Sequence, residues 1–347
     1  MSEAIKVGVD LSKQVNHVVG QDAHGREIWK RKLRRGQMLS WFANLAACTV
    51  VMEACSGAHY WARELQRLGH EVMLIPPRLV RAYVQGNKND YNDARAVLEA
   101  SRRAGLRPVA VKTPEQLSLQ ALHRMRQARI AERTKLCNQV RGLLGEHGIG
   151  VAKGVATLKR ALADALEDGD NGLDPLAREL LGHNREELQR LEESLRFYDE
   201  RIRAQARTQP AQQQLQSIPG FGPILASAFH GHIGDGRAFA RGRDVSAALG
   251  LVPAQHTSGD RPYLLGISKR GDRYVRSLLV HGARSVVRRA EAKDDPLSRW
   301  IQRLIATRGK NKATVALANK MARMGWAVLR HDTVYQPDLA QRAQPAA

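Results

Sequence analysis

The first 112 residues carry the hydrophobic pattern of an α/β domain. Three consecutive apolar or alternating runs, joined by short turns such as DAHG, predict antiparallel strands at 5–11, 16–21 and 27–34. Further apolar runs predict strands at 49–52 and 71–75, and helical periodicity predicts helices at 38–46, 59–68, 78–84 and 93–104. Three strands followed by alternating helices and strands predict an α/β fold for residues 1–112.

From residue 113 onward the pattern becomes helical. Leucines and other apolar residues recur at spacings of three and four over 114–145 and over 175–207, which predicts two long amphipathic helices. These helices could pair as an antiparallel coiled coil, or the second could pair with another copy of itself. We therefore predict a helical coiled-coil region at 113–210, a mainly α C-terminal domain at 211–331 and a disordered tail at 332–347.

Composition adds a strong positive charge. The 347 residues include 55 Lys and Arg against 34 Asp and Glu, which gives a formal net charge of +21 and a pI near 10.5. From residue 221 onward, basic residues outnumber acidic ones by 21 to 9. Such an excess favours a polyanionic partner, most often nucleic acid, with a membrane surface as the alternative.

Two further features of composition bear on the compartment. The sequence has no apolar run of about 18 residues and no signal-peptide pattern, so we expect a soluble, cytoplasmic protein without a membrane partner. The three cysteines, Cys48, Cys55 and Cys137, are odd in number and lack metal-ligand spacing. We therefore expect neither disulfides nor a structural zinc ion.

Four acidic residues stand out by their setting. Asp10 follows the apolar run VGV and Glu53 follows TVVM, so each carboxylate comes where a predicted strand ends. Asp90 and Asp93 are three residues apart at a predicted helix start and would share a face. A carboxylate on a central strand is costly without a proton, partner or metal. Together the four could hold two Mg²⁺ ions, which take oxygen ligands and favour in-line phosphoryl displacement, although each alone would more readily be solvated or cap a helix.

The motifs around these acids resemble those of the DEDD insertion-sequence transposases. VGVDLSK, VMEACSGAHYW and KNDYNDARA agree with the family in order, spacing and setting, and the resemblance resumes in IPGFGPILA, FARGRDVSAALGLVPAQHTSGD and GISKRGDRYVRSLLVHGARS. It implies an RNase H-like N-terminal domain similar to the Holliday-junction resolvase RuvC, a middle coiled coil used in assembly, and a transposase C-terminal domain. The usual lysine before the first helix aspartate is displaced by one, because Asn89 separates Lys88 from Asp90.

Ser258 is the candidate nucleophile. It precedes Gly259 in a predicted turn, where its hydroxyl would be sterically free, but most serines in turns cap or bind water. The resemblance implies the catalytic role, because the family's serine lies in this Pro-to-Ser-Gly context, and Thr257 is not excluded. A serine nucleophile needs activation, and the charge that develops at the phosphate needs stabilisation, which nearby basic residues could supply.

Two features predict contacts with nucleic acid. Gly220 and Gly222 precede a helical segment, as in helix-hairpin-helix modules, where backbone N–H groups approach a phosphate; a plain tight turn is the alternative. Basic residues at helical spacing predict phosphate contacts, with a solvated face as the alternative. They are Arg261, Lys269, Arg270, Arg273 and Arg276 in the C-terminal domain and Arg124 and Arg129 on the first long helix.

The leading hypothesis is the transposase, or recombinase, of an insertion sequence. The resemblance implies a Mg²⁺-dependent acidic site that acts with Ser258 on one scissile phosphate, through a covalent 5′-phosphoserine, in sites that could combine residues of two protomers. It also implies a bridge RNA that pairs with donor and target DNA, and a homo-oligomer, either a dimer or a tetramer. The alternatives are a metal-dependent junction resolvase or nuclease that uses water, and a non-catalytic nucleic-acid-binding scaffold.

Overall fold

The computed structural model describes residues 4–84, 89–258 and 261–337, apart from the side chains of Ser258, Arg261 and Pro262. The chain divides into two compact units, one up to Thr113 and one from Pro114. In these ranges no helix is both long and apolar enough to cross a membrane. The predicted boundary at 210 stays a prediction, and residues 338–347 of the predicted tail lie outside the described residues.

A five-stranded sheet forms the centre of the N-terminal unit, with strand order β3-β2-β1-β4-β5. The β1–β2 and β2–β3 pairs are antiparallel, whereas the β1–β4 and β4–β5 pairs are parallel. The strands are β1 (Lys6–Asp10), β2 (Val15–Gln21), β3 (Glu27–Arg34), β4 (Thr49–Glu53) and β5 (Glu71–Ile75). This mixed topology fits the RNase H-like domain predicted from the sequence.

Helices pack on both faces of this sheet. On one face, α1 (Met38–Ala43) and α2 (Ala58–Arg67) share a core with Val7, Val9 and Met52. On the other, α3 (Pro77–Val80) and α4 (Asp90–Ser101) share a core with Val19 and Val51. Side chains alternate along a strand. The residues of β1, β2 and β4 that face α4 are therefore those next to the residues that pack in the first core.

The first part of the second unit contains α5 (Pro114–Glu146), α6 (Val155–Glu167) and α7 (Pro175–Thr208). Arg126, in the first half of α5, forms an ion pair with Asp199, in the second half of α7. The later leucines of α5, such as Leu144, share a core with the earlier leucines of α7, such as Leu181. The two long helices therefore pack against each other within one chain in the antiparallel sense.

The rest of this unit is mainly helical, as predicted, but it also contains a β-hairpin. The helices are α8 (Pro210–Gln216), α9 (Pro223–Ile233), α10 (Gly242–Ala248), α11 (Arg273–Ala290), α12 (Pro296–Arg308) and α13 (Lys310–His331). The strands β6 (Pro253–Ser258) and β7 (Arg261–Ile267) form the antiparallel hairpin between α10 and α11. Phe229, Leu279 and Leu317 are fully buried in the shared core of α9, α11 and α13.

Candidate active site

Asp10 and Glu53 are the last residues of two adjacent parallel strands. Val9 of β1 pairs with Met52 of β4, so the two acids follow directly at the carboxyl ends of both strands. Val9 and Met52 point into the core on the α1–α2 side. Because successive side chains point to opposite faces, Asp10 and Glu53 both face α4.

Asp90 and Asp93 lie in the first turn of α4, on the same face of the sheet. Asn89 caps this helix, since its side-chain oxygen accepts a hydrogen bond from the backbone N–H of Tyr91 at 3.0 Å. An asparagine is among the best residues for this position. The cap gives a physical reason for asparagine directly before Asp90, and Lys88 lies outside the described residues.

The acidic cluster includes a residue that sequence analysis missed, His17 of β2. Ligand atoms of Asp10, His17 and Asp90 all lie within 4.8 Å of one another. His17 is the cross-strand partner of Asp10, and its Nδ1 atom lies 3.3 Å from Oδ2 of Asp90. The signal that could have found it is the β1–β2 register, which sets a histidine opposite the aspartate.

Glu53 and Asp93 are coupled through their charges. Burial raises the pKa of Glu53, the negative charge of Asp93 raises it further, and Arg81 lowers it. Two neighbouring carboxylates in a half-buried space repel each other, and a cation bound between them would offset that repulsion. The four carboxylates of the N-terminal domain thus form two neighbouring pairs, Asp10 with Asp90 and Glu53 with Asp93.

The donor set fits a divalent cation. Carboxylate oxygens suit hard cations, and imidazole nitrogen suits transition-metal ions. Nδ1 of His17 is buried and makes no hydrogen bond to any described group, although it lies 3.3 Å from Oδ2 of Asp90. An orphaned buried nitrogen beside carboxylates is the arrangement that a bound cation would satisfy.

The structure places Ser258 at the end of β6, where it pairs in register with Arg261 of β7. Ser258 is therefore the last residue of a hairpin strand, and the connection at 259–260, where the predicted turn would lie, is outside the described residues. The side chains of Ser258 and Arg261 are also outside what the structure describes. Thr257 is exposed, and its hydroxyl accepts a hydrogen bond from Nε2 of Gln255 at 2.7 Å.

Arg276 is a structural part of the hairpin base. Its Nη1 group donates hydrogen bonds to the backbone oxygens of Leu249 and Arg270, each at 2.9 Å, so it ties the segment before β6 to the segment after β7. Gly250 and Gly271 make this crossing possible, because a Cβ at either position would overlap the backbone of the opposite segment. Arg276, predicted to contact phosphate, is thus half-buried and bonded to the backbone.

Other predicted basic residues face solvent. Lys269, Arg270 and Arg273 are exposed beside the start of α11, where Asp272 caps the helix. On α5, Arg124 is exposed and Arg129 forms an ion pair with Glu132.

Two further arginines of α5, Arg126 and Arg141, make contacts within the protein. Arg126 turns inward to Asp199, with an N–O distance of 2.6 Å, and only 15% of its side chain is exposed. Arg141 also makes an internal contact, because its Nη2 group donates a hydrogen bond to the backbone oxygen of Gly154 at 2.8 Å.

The two glycines before α9 have different surroundings. Gly220 has φ +91°, and a Cβ there would lie 2.9 Å from the backbone oxygen of Gly282 on α11, so this glycine allows a close approach of two backbones. Gly222 is exposed at the N-cap of α9, with open space where a side chain would be. Of the two, Gly222 has the accessible backbone that a phosphate contact requires.

The mixed sheet and the carboxylate cluster of the N-terminal unit fit a DEDD-type, RNase H-like domain. The family model for the IS116/IS110/IS902 transposases matches residues 212–297, and a DEDD-type IS110 transposase model matches residues 7–149. The chain belongs to this transposase family, whose members cleave DNA and transfer its ends.

Full-length relatives agree with this assignment. The chain is 46% identical to a probable family 20 transposase of Pseudomonas aeruginosa over 333 residues, which cover 96% of this chain and 98% of the relative. It is 42% identical to the transposase for insertion sequence element IS1111A of Coxiella burnetii, over 95% of this chain and 91% of the relative. It is 37% identical to the transposase for insertion sequence element IS1328 of Yersinia enterocolitica, over 96% of this chain and 99% of the relative.

Proposed function

We propose that this transposase cuts and rejoins DNA with a Mg²⁺-dependent acidic site and a serine nucleophile. The observation that carries the proposal is the convergence of Asp10 and Asp90 within 4.8 Å, on the sheet face that also carries Glu53. With Asp93 these carboxylates would hold two Mg²⁺ ions. Bound there, the ions would stabilise negative charge on the attacked phosphate and favour an in-line displacement.

The proposed covalent step uses Ser258. Its Oγ atom loses a proton and attacks phosphorus, so an Oγ–P bond forms while the P–O3′ bond breaks. The leaving O3′ atom takes up a proton, which yields a 5′-phosphoserine and a free 3′-hydroxyl. Attack by a second 3′-hydroxyl then reverses the chemistry on a different partner. Exposed basic side chains near the start of α11, including those of Lys269, Arg270 and Arg273, would offset the negative charge of the DNA backbone.

Sequence choice is proposed to come from a bridge RNA that pairs with donor and target DNA. A basic protein surface reads the shape and charge of a duplex, and base pairing can then supply the sequence information. The net charge of +21 supports binding of nucleic acid. We expect a homo-oligomer, dimer or tetramer, and exposed Leu176 and Leu180, one turn apart on α7, offer it an apolar contact.

The test of the serine mechanism is to trap the covalent adduct. The full chain is expressed with a plasmid that carries its own element, the cells are lysed in denaturant, and DNA-linked protein is digested and analysed by mass spectrometry. We expect a phosphodeoxynucleotide on Ser258, lost in Ser258→Ala and retained in the neighbouring control Thr257→Ala. Cleavage that persists in Ser258→Ala without an adduct would favour the water-using nuclease and overturn the proposal.

The test of RNA guidance is to sequence the RNA that co-purifies with the protein. A single defined RNA from the non-coding end of the element would support the proposal. A mixture of host RNAs in proportion to their abundance would overturn the guided part while leaving the serine mechanism to its own test.

A further inference from the structure

We propose that His17 is a metal ligand, and that it makes the position between Asp10 and Asp90 prefer Mn²⁺ and similar imidazole-binding ions over Mg²⁺. This inference rests on the proposed metal centre and adds a ligand to it. The four acids are hard oxygen donors, whereas imidazole nitrogen binds first-row transition-metal ions better than Mg²⁺. One nitrogen among oxygen ligands would therefore change the ion preference of that position.

The placement of His17 follows from the β1–β2 register. His17 pairs with Asp10 across the strands, and Val19, two residues further on, packs in the core beneath α4. His17 therefore lies on the same sheet face as Asp10 and below the first turn of α4. Its ring is held edge-on against Tyr91, with the ring centroids 4.7 Å apart. The imidazole is thus fixed in direction by the elements that position the acids.

The burial of His17 argues for a ligand. The residue is only 8% exposed, and Nδ1 makes no hydrogen bond to any group that the structure describes. A buried polar nitrogen without such a bond is unfavourable, because it has lost its hydrogen bond to water and gained none in the protein. Nδ1 lies 3.3 Å from Oδ2 of Asp90, so the nitrogen is directed toward the carboxylate cluster.

The distances suit a small cation. Ligand atoms of Asp10, His17 and Asp90 lie within 4.8 Å of one another. Atoms on opposite sides of an ion with bonds of about 2.1 Å are about 4.2 Å apart, and those on adjacent sides about 3.0 Å apart. Side-chain movements of well under an ångström per residue would close the three ligands around one ion. The competing interpretation of His17 is a counter-charge for Asp90 with no direct metal bond.

The experiment uses Mn²⁺ as the probe, bound to the full chain with and without duplex DNA. Pulsed electron paramagnetic resonance detects the modulation that a directly coordinated ¹⁴N nucleus imposes on the Mn²⁺ signal. We expect this modulation in the wild-type protein and in His24→Asn, the control for an exposed imidazole in the same unit, and its loss in His17→Asn. Labelling all histidines with ¹⁵N should change the modulation in the wild type without any substitution.

Binding titrations supply the second readout. Loss of the imidazole should lower Mn²⁺ affinity by about tenfold or more, while Mg²⁺ affinity changes by about threefold at most. Bound Mn²⁺ without a nitrogen signal, or with the same signal in His17→Asn, would overturn the role of His17 and leave the acidic centre intact. If Asp10→Asn binds both ions as the wild type does, the acidic centre and the role of His17 both fail.

Discussion

Gly8 of β1 lies directly beneath Ala94 of α4, so close that a side chain at Gly8 would overlap the Ala94 carbonyl oxygen and come within 2.6 Å of Cγ of Leu98. Gly8 precedes Asp10 by two residues on the same face of the sheet, and Ala94 follows Asp93 directly. The absence of a side chain at Gly8 therefore sets the height of α4 above the strand, and with it the distance between the strand acids and the helix acids.

The first prediction concerns this contact. Gly8→Ala should push α4 away from β1, lower stability by about 1–3 kcal/mol and weaken Mn²⁺ binding, because overpacking shifts backbone and separates the ligands. Gly36→Ala is the matched control, since a Cβ there meets no atom within 4 Å. Denaturant unfolding and Mn²⁺ titration measure the two effects. Unchanged metal binding in a destabilised Gly8→Ala would show that α4 does not set the ligand spacing.

A second prediction follows from the raised pKa of Glu53. Its negative charge is unfavourable beside Asp93 in a half-buried site, so Glu53→Gln should raise the melting temperature of the metal-free protein by about 2 °C at neutral pH. The same change should abolish DNA cleavage, because it removes a proposed ligand. Glu71→Gln, an exposed acid on β5, should alter neither property. A fall in melting temperature for Glu53→Gln would contradict this account.

The positions of the strand acids were predictable because strand alternation is a local rule. The apolar run before Asp10 or Glu53 determines on which face of the sheet, and at which end of the strand, the carboxylate lies. His17 was missed because its position depends on the cross-strand register, which the length of the β1–β2 turn determines. The inward direction of Arg126 was missed for a related reason, since helical periodicity does not identify a partner on another helix.

The hairpin that carries Ser258 shows a different limit. Tyr263 and Leu264 on β7 are 67% and 64% exposed, so this strand lacks the alternation that burial of one face imposes. Without such alternation, the sequence pattern of β7 also fits a loop or a buried core segment. The base of the hairpin also depends on the close backbone approach at Gly250 and Gly271, which hydrophobic patterning does not indicate.

A third prediction tests the role of Arg276 at that crossing. Arg276→Gln should loosen the hairpin base, so that the backbone amides of 253–267 exchange hydrogen faster and the serine adduct forms more slowly, by about tenfold. Arg284→Gln, an exposed change on the same helix, should leave exchange in the hairpin unaltered. Arg276→Lys should restore part of the adduct rate, since an ammonium can donate to the same carbonyls. Wild-type exchange in Arg276→Gln would remove the case for a positioning role.

A fourth prediction concerns pH. Burial, and then the charge of Arg126, lower the pKa of His123 from 6.5 to about 4, while its two ring nitrogens contact Tyr274 and Ser227, each at 3.0 Å. Between these two pKa values the unfolded chain binds a proton that the folded protein does not, so falling pH destabilises the fold. This group should cost about 2 kcal/mol between pH 7 and pH 5.

The variant His123→Gln isolates this contribution, because the pKa of half-buried His59 is also lowered to about 4. Denaturant unfolding of metal-free protein at pH 7 and pH 5 should show a smaller loss of stability in His123→Gln than in the wild type, although the variant is less stable at pH 7. An equal loss in both proteins would mean that His123 is protonated in the folded state at pH 5.

The fifth prediction separates phosphate contacts from general charge. If Lys269, Arg270 and Arg273 each neutralise a phosphate, replacing all three by alanine should lower the slope of log affinity against log salt by about 2 to 3, because each contact releases roughly one counterion. A control with Arg196, Arg203 and Arg207 of α7 replaced removes the same charge from another exposed surface. Titration of a random-sequence duplex at several salt concentrations measures both slopes. Equal changes in the two variants would show that DNA binding depends on net charge alone. The surface beside the Ser258 hairpin would then not be a preferred binding surface for the DNA backbone.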